Sequence, residues 1–304
     1  MKKQPFLILL LLLILVCMLF HAPVVIDGAH IGLELWYQSV LPSILPFMII
    51  TSLLIQTVPG NFICFLGLFC GLPVGANLVN QQFVAGHLSL TAANHLLCIC
   101  NITSPMFIIG YILHQTLQNQ TAPLPFFLSI YIPIILYGIL SLLYRTILAF
   151  RRTHAPVAGV PTSASSLPGS PTSFHSTPIS SNSARSFEDI TRHALQVILS
   201  VGLYIMLFCI LIRFLLCLWT VPPGWITLLA SSLEITNGIH LLNKTELPAI
   251  QKTALMAGLT SFGGVCSILQ TKSVLTDHRL SIFHYLLVKL LMGLTSYLLA
   301  LWIC

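Results

Sequence analysis

Hydrophobic residues run through this chain in long blocks, and several of the blocks are broken at their centres by glycine, proline and polar residues. Apolar runs cover 6–26, 41–58, 62–79, 89–113 and 124–148, then 194–219, 225–242, 249–270 and 283–303. A helix of about 20 residues spans the ~30 Å hydrocarbon layer of a bilayer, so the pattern predicts membrane helices throughout. Two blocks carry a central break, Gly71-Leu72-Pro73-Val74-Gly75-Ala76-Asn77 and Ser232-Leu233-Glu234-Ile235-Thr236-Asn237-Gly238. Each is followed by a second broken block, at Asn101-Ile102-Thr103-Ser104-Pro105 and at Thr260-Ser261-Phe262-Gly263-Gly264. Backbone that leaves the helix inside a membrane survives only where it is buried in protein or lines a wet cavity. Matched interruptions in two halves of a chain point to a binding site at the bilayer midplane.

Composition sharpens this into a class. Of 304 residues, 56% are hydrophobic and 7% charged, with mean hydropathy +0.94; a soluble domain carries about 25% charged residues. The expected fold is an all-α polytopic membrane protein. The net charge of +6 marks no nucleic-acid partner, because the basic residues form no continuous stripe. They lie at the ends of apolar blocks, where they set orientation. Nine cysteines lie almost entirely within apolar runs and show no metal-ligand spacing, so they read as small buried hydrophobes, without metal or cofactor. Met1-Lys2-Lys3 and the run behind it read as an uncleaved first helix, since no A-x-A site follows.

Orientation fixes the topology. Lys2 and Lys3 at one end, and Arg145, Arg151, Arg152, Arg185 and Arg192 around the middle, both belong in the cytoplasm by the positive-inside rule. An even number of crossings must join them, so one of the five apolar segments between them does not cross, and the interrupted 62–79 block is the natural choice. The tract from 154 to 185 is rich in Ser, Thr, Pro and Gly, too poor in apolar residues to fold. The expected organisation is an N-terminal helix (1–30), a first repeat (31–150), a disordered cytoplasmic linker (151–188) and a second repeat (189–304). The repeats are inverted copies, each with a re-entrant or broken-helix hairpin, and the crossings number about seven.

Glu234 is the one acidic residue at the centre of an apolar block. A carboxylate there costs about 2.5–3.5 kcal/mol in lipid, so it either meets a ligand or proton in a cavity or caps a half-helix whose dipole welcomes negative charge. Asn77 and Asn237 suit a polar ligand or the unwound backbone beside them equally. Asn101, Ser104, Thr260, Ser261 and Gln270 share that ambiguity, and together Asn77, Asn101, Ser104, Glu234, Asn237, Ser261 and Gln270 form the candidate solute-binding set. Gly71, Pro73, Gly75, Gly263 and Gly264 supply the backbone breaks. Asn94 and His95 read as a satisfied interfacial pair ahead of a proton relay, and Lys289 as a side chain that snorkels to the membrane edge. No P-loop, H-E-x-x-H or nucleophile–base pair is present, so no catalytic residues and no enzymatic activity are expected.

Several of these segments resemble the YlbJ family of sporulation integral membrane proteins. They are Leu41-Pro42-Ser43-Ile44-Leu45-Pro46-Phe47, the two hairpin breaks, Pro105-Met106-Phe107-Ile108-Ile109-Gly110 and Ser261-Phe262-Gly263-Gly264-Val265-Cys266-Ser267-Ile268-Leu269-Gln270. The chain departs from that family in being short between Gln56 and Gly71, and in carrying Leu72 and Asn77 in place of an aromatic residue and a lysine. The resemblance implies a nucleoside-recognition, or gate, domain similar to parts of concentrative nucleoside transporters and spore maturation proteins. It implies residence in a bacterial inner membrane, with the lipid bilayer, a small polar solute and further copies of the chain as the partners to look for. Solute transport during sporulation is the leading expectation. A non-transporting membrane scaffold that uses the same breaks only for packing is the alternative.

Overall fold

The computed structural model describes residues 4–55, 66–118, 121–153 and 186–304. Among them every regular element is helical. α1 (Gln4–Phe20) is followed by α2 (Ala22–Leu35), which runs through a π-helical turn, Trp36–Val40, into α3 (Leu41–Ile55). After a helical stretch at 66–70 come α4 (Val74–Val84), α5 (Leu90–Cys100) and α6 (Pro105–Phe107), the last continuing as a π-helix over Ile108–Thr116, and then α7 (Pro123–Thr153). The second half contains α8 (Phe187–Cys217), α9 (Gly224–Leu233), α10 (Ile235–Asn243), α11 (Ala249–Phe262), α12 (Gly264–Val274) and α13 (Ile282–Ile303).

Among the described residues, six helical stretches are long and apolar enough to cross a bilayer: Ala22–Leu54, Leu90–Thr116, Pro123–Tyr144, Phe187–Cys217, Ala249–Val274 and Ile282–Ile303. α1, at 17 residues, stands at the short end of the spanning range. Leucines along the outer faces remain bare, with Leu136 54%, Leu203 58% and Leu291 62% exposed, a surface only lipid tolerates. The chain is an all-α, multi-pass membrane protein.

One expected boundary is corrected. The first two apolar blocks, 6–26 and 41–58, read as separate spans. Instead α1 ends at Phe20, and one unbroken helical run covers Ala22 to Ile55. The prolines do not stop it. Pro23 lies in the first turn, where its missing N–H is harmless, and the wider π-helical turn lies just ahead of Pro42, where a regular turn is disfavoured. The run also packs closely on α8. Gly28 and Gly32 form a G-x-x-x-G face on α8, so close that a Cβ would come within 2.7 Å of the Ile210 and Met206 Cα atoms. Small residues at this spacing let membrane helices approach closely. Trp36 adds an indole N–H bond to the Ile198 carbonyl at 3.0 Å, and Asp27 pairs with Arg213 across the same contact. The tract 154–185, Lys2 and Lys3 lie outside the described residues.

Both central breaks fold the chain back on itself. In the second, Glu234 takes extended backbone (φ −139°, ψ 125°) between α9 and α10. A Cβ on Gly238 would strike the carbonyl of Ser231, seven residues earlier, whereas in a straight helix those positions stand about 10 Å apart. In the first, a Cβ on Gly67 would lie 3.0 Å from the Gly75 Cα, again across the bend. α9 and α10, at 10 and 9 residues, are each about 15 Å long or less, half a bilayer. These are hairpins.

Candidate functional site

The four breaks touch one another at the centre of the molecule. A Cβ on Gly71 would meet Ser104, one on Gly263 would meet the Leu72 side chain, and one on Gly264 would meet the backbone of Leu233 and Ile235. The Thr103 hydroxyl donates to the Thr260 carbonyl at 2.8 Å. Each break frees backbone groups that a dry membrane interior would leave unpaired, and each supplies partners for another.

Local chemistry sets the helix starts. Ser104 accepts from the Phe107 N–H at 3.1 Å and so caps α6. Glu234 caps α10 with both oxygens, accepting from the Thr236 N–H at 2.9 Å and the Asn237 N–H at 2.7 Å. Its carboxylate therefore sits at the positive end of a helix dipole, 2% exposed. No basic side chain stands within ion-pair distance of it among the described residues. The first turn of α4 is capped from another helix, since Asn101 Oδ1 accepts from the Ala76 N–H at 3.2 Å. α12 starts at Gly263, whose left-handed φ of 87° suits glycine, and has no side-chain cap.

Between the breaks lies a cavity of about 50 Å³, room for roughly four waters. Glu234, Ser104, Thr103 and Gln270 give it polar walls; Val40 and Ile44 of the Ala22–Ile55 run, with Val201 and Ile205 of α8, give it an apolar one.

Of the seven candidate solute-binding residues, Ser104, Glu234 and Gln270 reach this cavity. The other four do not line it. Asn77 is half-buried on α4. Asn101 is fully buried and consumed by its neighbours, its amide donating to Thr271 Oγ1 at 2.7 Å and to the Tyr285 hydroxyl at 2.9 Å. Asn237 donates to Cys209 Sγ at 3.4 Å, and Ser261 is buried with its hydroxyl unpartnered. Among the breaks, Gly263 lines the cavity and Gly71, Pro73, Gly75 and Gly264 shape the backbone behind it. Sequence reasoning missed Thr103, Thr236, Cys266 and Ser267 as lining residues, though each sits within or beside a break. It also missed the apolar wall, which comes from helices that carry no break.

Two further expectations meet side-chain geometry. Asn94 is satisfied as expected, accepting from the Ser281 N–H at 2.8 Å. Lys289 does not snorkel: it is 0% exposed and its ammonium nitrogen has no hydrogen-bond partner. It lies on the inner face of α13 with Tyr285, Gly293 and Ser296, and that face packs inward rather than along lipid.

A comparison with characterised proteins agrees with this architecture. The chain is 23% identical over 316 aligned positions to the sporulation integral membrane protein YlbJ of Bacillus subtilis (strain 168), an alignment covering 90% of this chain and 76% of that protein. The chain is similar to a sporulation integral membrane protein. The resemblance carried by the broken segments is thereby borne out along most of the sequence. No family model matches the chain, and no solved structure matches it.

Proposed function

We propose that this protein moves a small polar solute across a bacterial cell membrane, with the cavity between the four helix breaks as its central binding site. The single observation carrying this reading is the convergence of four interruptions, two from each half, on one polar-walled space that contains the only carboxylate at the middle of an apolar block. Half-helix ends around a midplane site are the recurring device of secondary transporters. Glu234 offers acceptor oxygens, Ser104 and Thr103 hydroxyls, and the uncapped first turn of α12 backbone donors, a set suited to a solute with both donors and acceptors. In this reading the halves are inverted repeats, and the N-terminus and the central tract face the cytoplasm. The curated relative's name adds sporulation as the setting.

At about 50 Å³ the cavity is far below the ~300–1,000 Å³ of small-molecule pockets, so the hairpins must part to admit a solute. A second reading, a scaffold that assembles other membrane proteins, is favoured by one feature: Glu234 and Asn101 already spend their polar atoms on backbone and neighbouring side chains.

Cys266 separates the two, because it lines the cavity and is 2% exposed. In a variant with the other cysteines replaced, a small water-soluble thiol reagent should modify Cys266 slowly in sealed vesicles, and from both sides in turn as the protein cycles. No modification from either side over hours, in protein that labels fully once unfolded, would leave the scaffold reading standing.

A further inference from the structure

We infer that the cavity between the breaks holds a small monovalent cation, of the size and hardness of sodium, against the Glu234 carboxylate. This rests on the reading of that cavity as a binding site, and it names the ion that accompanies the solute there.

Charge is the first ground. Glu234 is 2% exposed, and its two oxygens accept the Thr236 and Asn237 N–H bonds. Those bonds replace lost hydration but bring no opposite unit charge. The helix dipoles bring none either, because helix ends meet here in pairs of opposite sign. The C-terminus of α9 and the N-terminus of α10 meet at Glu234, and those of α11 and α12 meet at Gly263. Partial charges of about −0.5 and +0.5 at such ends cancel within each pair. No residue lining the cavity is a lysine, arginine or histidine, and no basic side chain pairs with Glu234 among the described residues. What remains on the wall is the charge of one carboxylate, in surroundings where an unpaired charge is strongly disfavoured.

The oxygens around the space are the second ground. Gln270 is 6% exposed; its Nε2 donates to Cys266 Sγ at 3.3 Å, and its Oε1 takes no hydrogen bond among the described residues. A buried, unpartnered carbonyl oxygen thus stands on the same space as the carboxylate. Ser104 Oγ accepts from the Phe107 N–H and Thr103 Oγ1 donates to the Thr260 carbonyl, and both keep lone pairs. Carboxylate, carbonyl and hydroxyl oxygens are the ligands that hard cations take. The one lining sulfur, Cys266 Sγ, already accepts from Gln270.

Size and valence narrow the choice. A space of about 50 Å³ admits an ion that keeps some of its waters and excludes an organic ammonium of any length. Glu234 is the only acidic residue lining it, so a divalent ion would leave a positive charge unbalanced. Ions coordinated at broken helices beside a midplane site are a recurring feature of secondary transporters. With the cation seated, the site is neutral, and an acidic solute that the bare carboxylate repels can enter it.

Sodium itself is the probe. In detergent, with no solute added, exchanging choline chloride for sodium chloride at constant ionic strength should raise the melting temperature of the whole chain saturably, by about 5 °C near full occupancy. Glu234→Gln should abolish that rise. Gln270→Met, which leaves both cap bonds of Glu234 in place, should move the half-saturating sodium concentration up by about tenfold, and it carries the test should Glu234→Gln not fold. In the variant that retains Cys266 alone, sodium but not choline should slow modification of that thiol. A melting temperature equal in sodium and choline, or a sodium-dependent rise unchanged in whichever of the two variants folds, overturns the proposal. So does a stabilisation that follows pH and ignores sodium, which would give Glu234 a proton instead. A sodium-insensitive protein whose Cys266 still labels from both sides loses the ion alone. A sodium-stabilised protein whose Cys266 never labels keeps the ion and loses the transport reading.

Discussion

At the scale of single residues, the protein's charges divide between those that must be shielded and those that water screens. Glu234 belongs to the first group: two backbone N–H bonds and a helix dipole replace the hydration it loses. Those bonds also position it on the cavity wall. Asp277 belongs to the second group. It lies in the loop between α12 and α13, where the Arg279 guanidinium, donating from Nη2 at 2.8 Å, holds its carboxyl down at about 2. A depressed carboxyl adds stability that is present above the ordinary carboxylate range, near pH 4, and is lost as the pH falls through about 2. Arg279→Gln should therefore return the Asp277 titration to roughly pH 4, read from its ¹³C carboxyl shift. The contribution to melting temperature should be slight, since an exposed pair is well screened.

At the scale of elements, the hairpins depend on what is missing from their side chains. The arms of the second close where Gly238 meets the Ser231 carbonyl, and the first hairpin lies on α5 where Gly75 meets the Cys100 carbonyl. In both cases the neighbour is backbone and cannot swing aside. Gly75→Ala and Gly238→Ala should each lower the apparent melting temperature in detergent, at an overpacking cost of about 1–3 kcal/mol or more. Gly110, with nothing within 4 Å of an added Cβ, is the control, and Gly110→Ala should leave the melting temperature unchanged or slightly raised. Equal behaviour of all three variants would mean the arms are not pressed together as described. The same logic explains the G-x-x-x-G face of α2, a pattern visible in the sequence whose use depends on α8 lying opposite.

At the scale of the whole molecule, the two halves are joined by polar bonds at their interruptions as well as by the close packing of α2 on α8 and a shared apolar core. Thr103 bonds to Thr260, Asn101 to Thr271 and Tyr285, and Asn80 to Thr276, all between residues from opposite sides of the central tract. Chains cut within that tract and co-expressed should therefore copurify as a complex. Asn101→Leu should weaken the complex measurably, because it strands the Ala76 N–H at about 1–3 kcal/mol and removes the bonds to the Thr271 and Tyr285 hydroxyls, which keep only their donations to the Ser267 and Asn101 carbonyls. Copurification unaffected by Asn101→Leu would place the main adhesion elsewhere in the bundle.

Hydropathy alone settled that the chain is helical and embedded, because a bilayer admits few other ways of pairing the backbone, and the glycines, prolines and Glu234 marked where four helices stop. The sequence could not tell which polar residues near those stops face a space and which face each other. Asn101, Asn237 and Ser261 looked equivalent to Ser104 and Gln270, yet the first three do not line the cavity: Asn101 bonds to Thr271 and Tyr285, Asn237 bonds to Cys209, and Ser261 is buried with its hydroxyl unpartnered. Lys289 shows the same limit more sharply. Its position near a helix end suggested escape to the interface, and only the packing of α5, α7 and α11 around α13 encloses it. Periodicity records which residues avoid water, whereas the partners of Asn101 and Thr103 come from more than a hundred residues away and are fixed only by the fold.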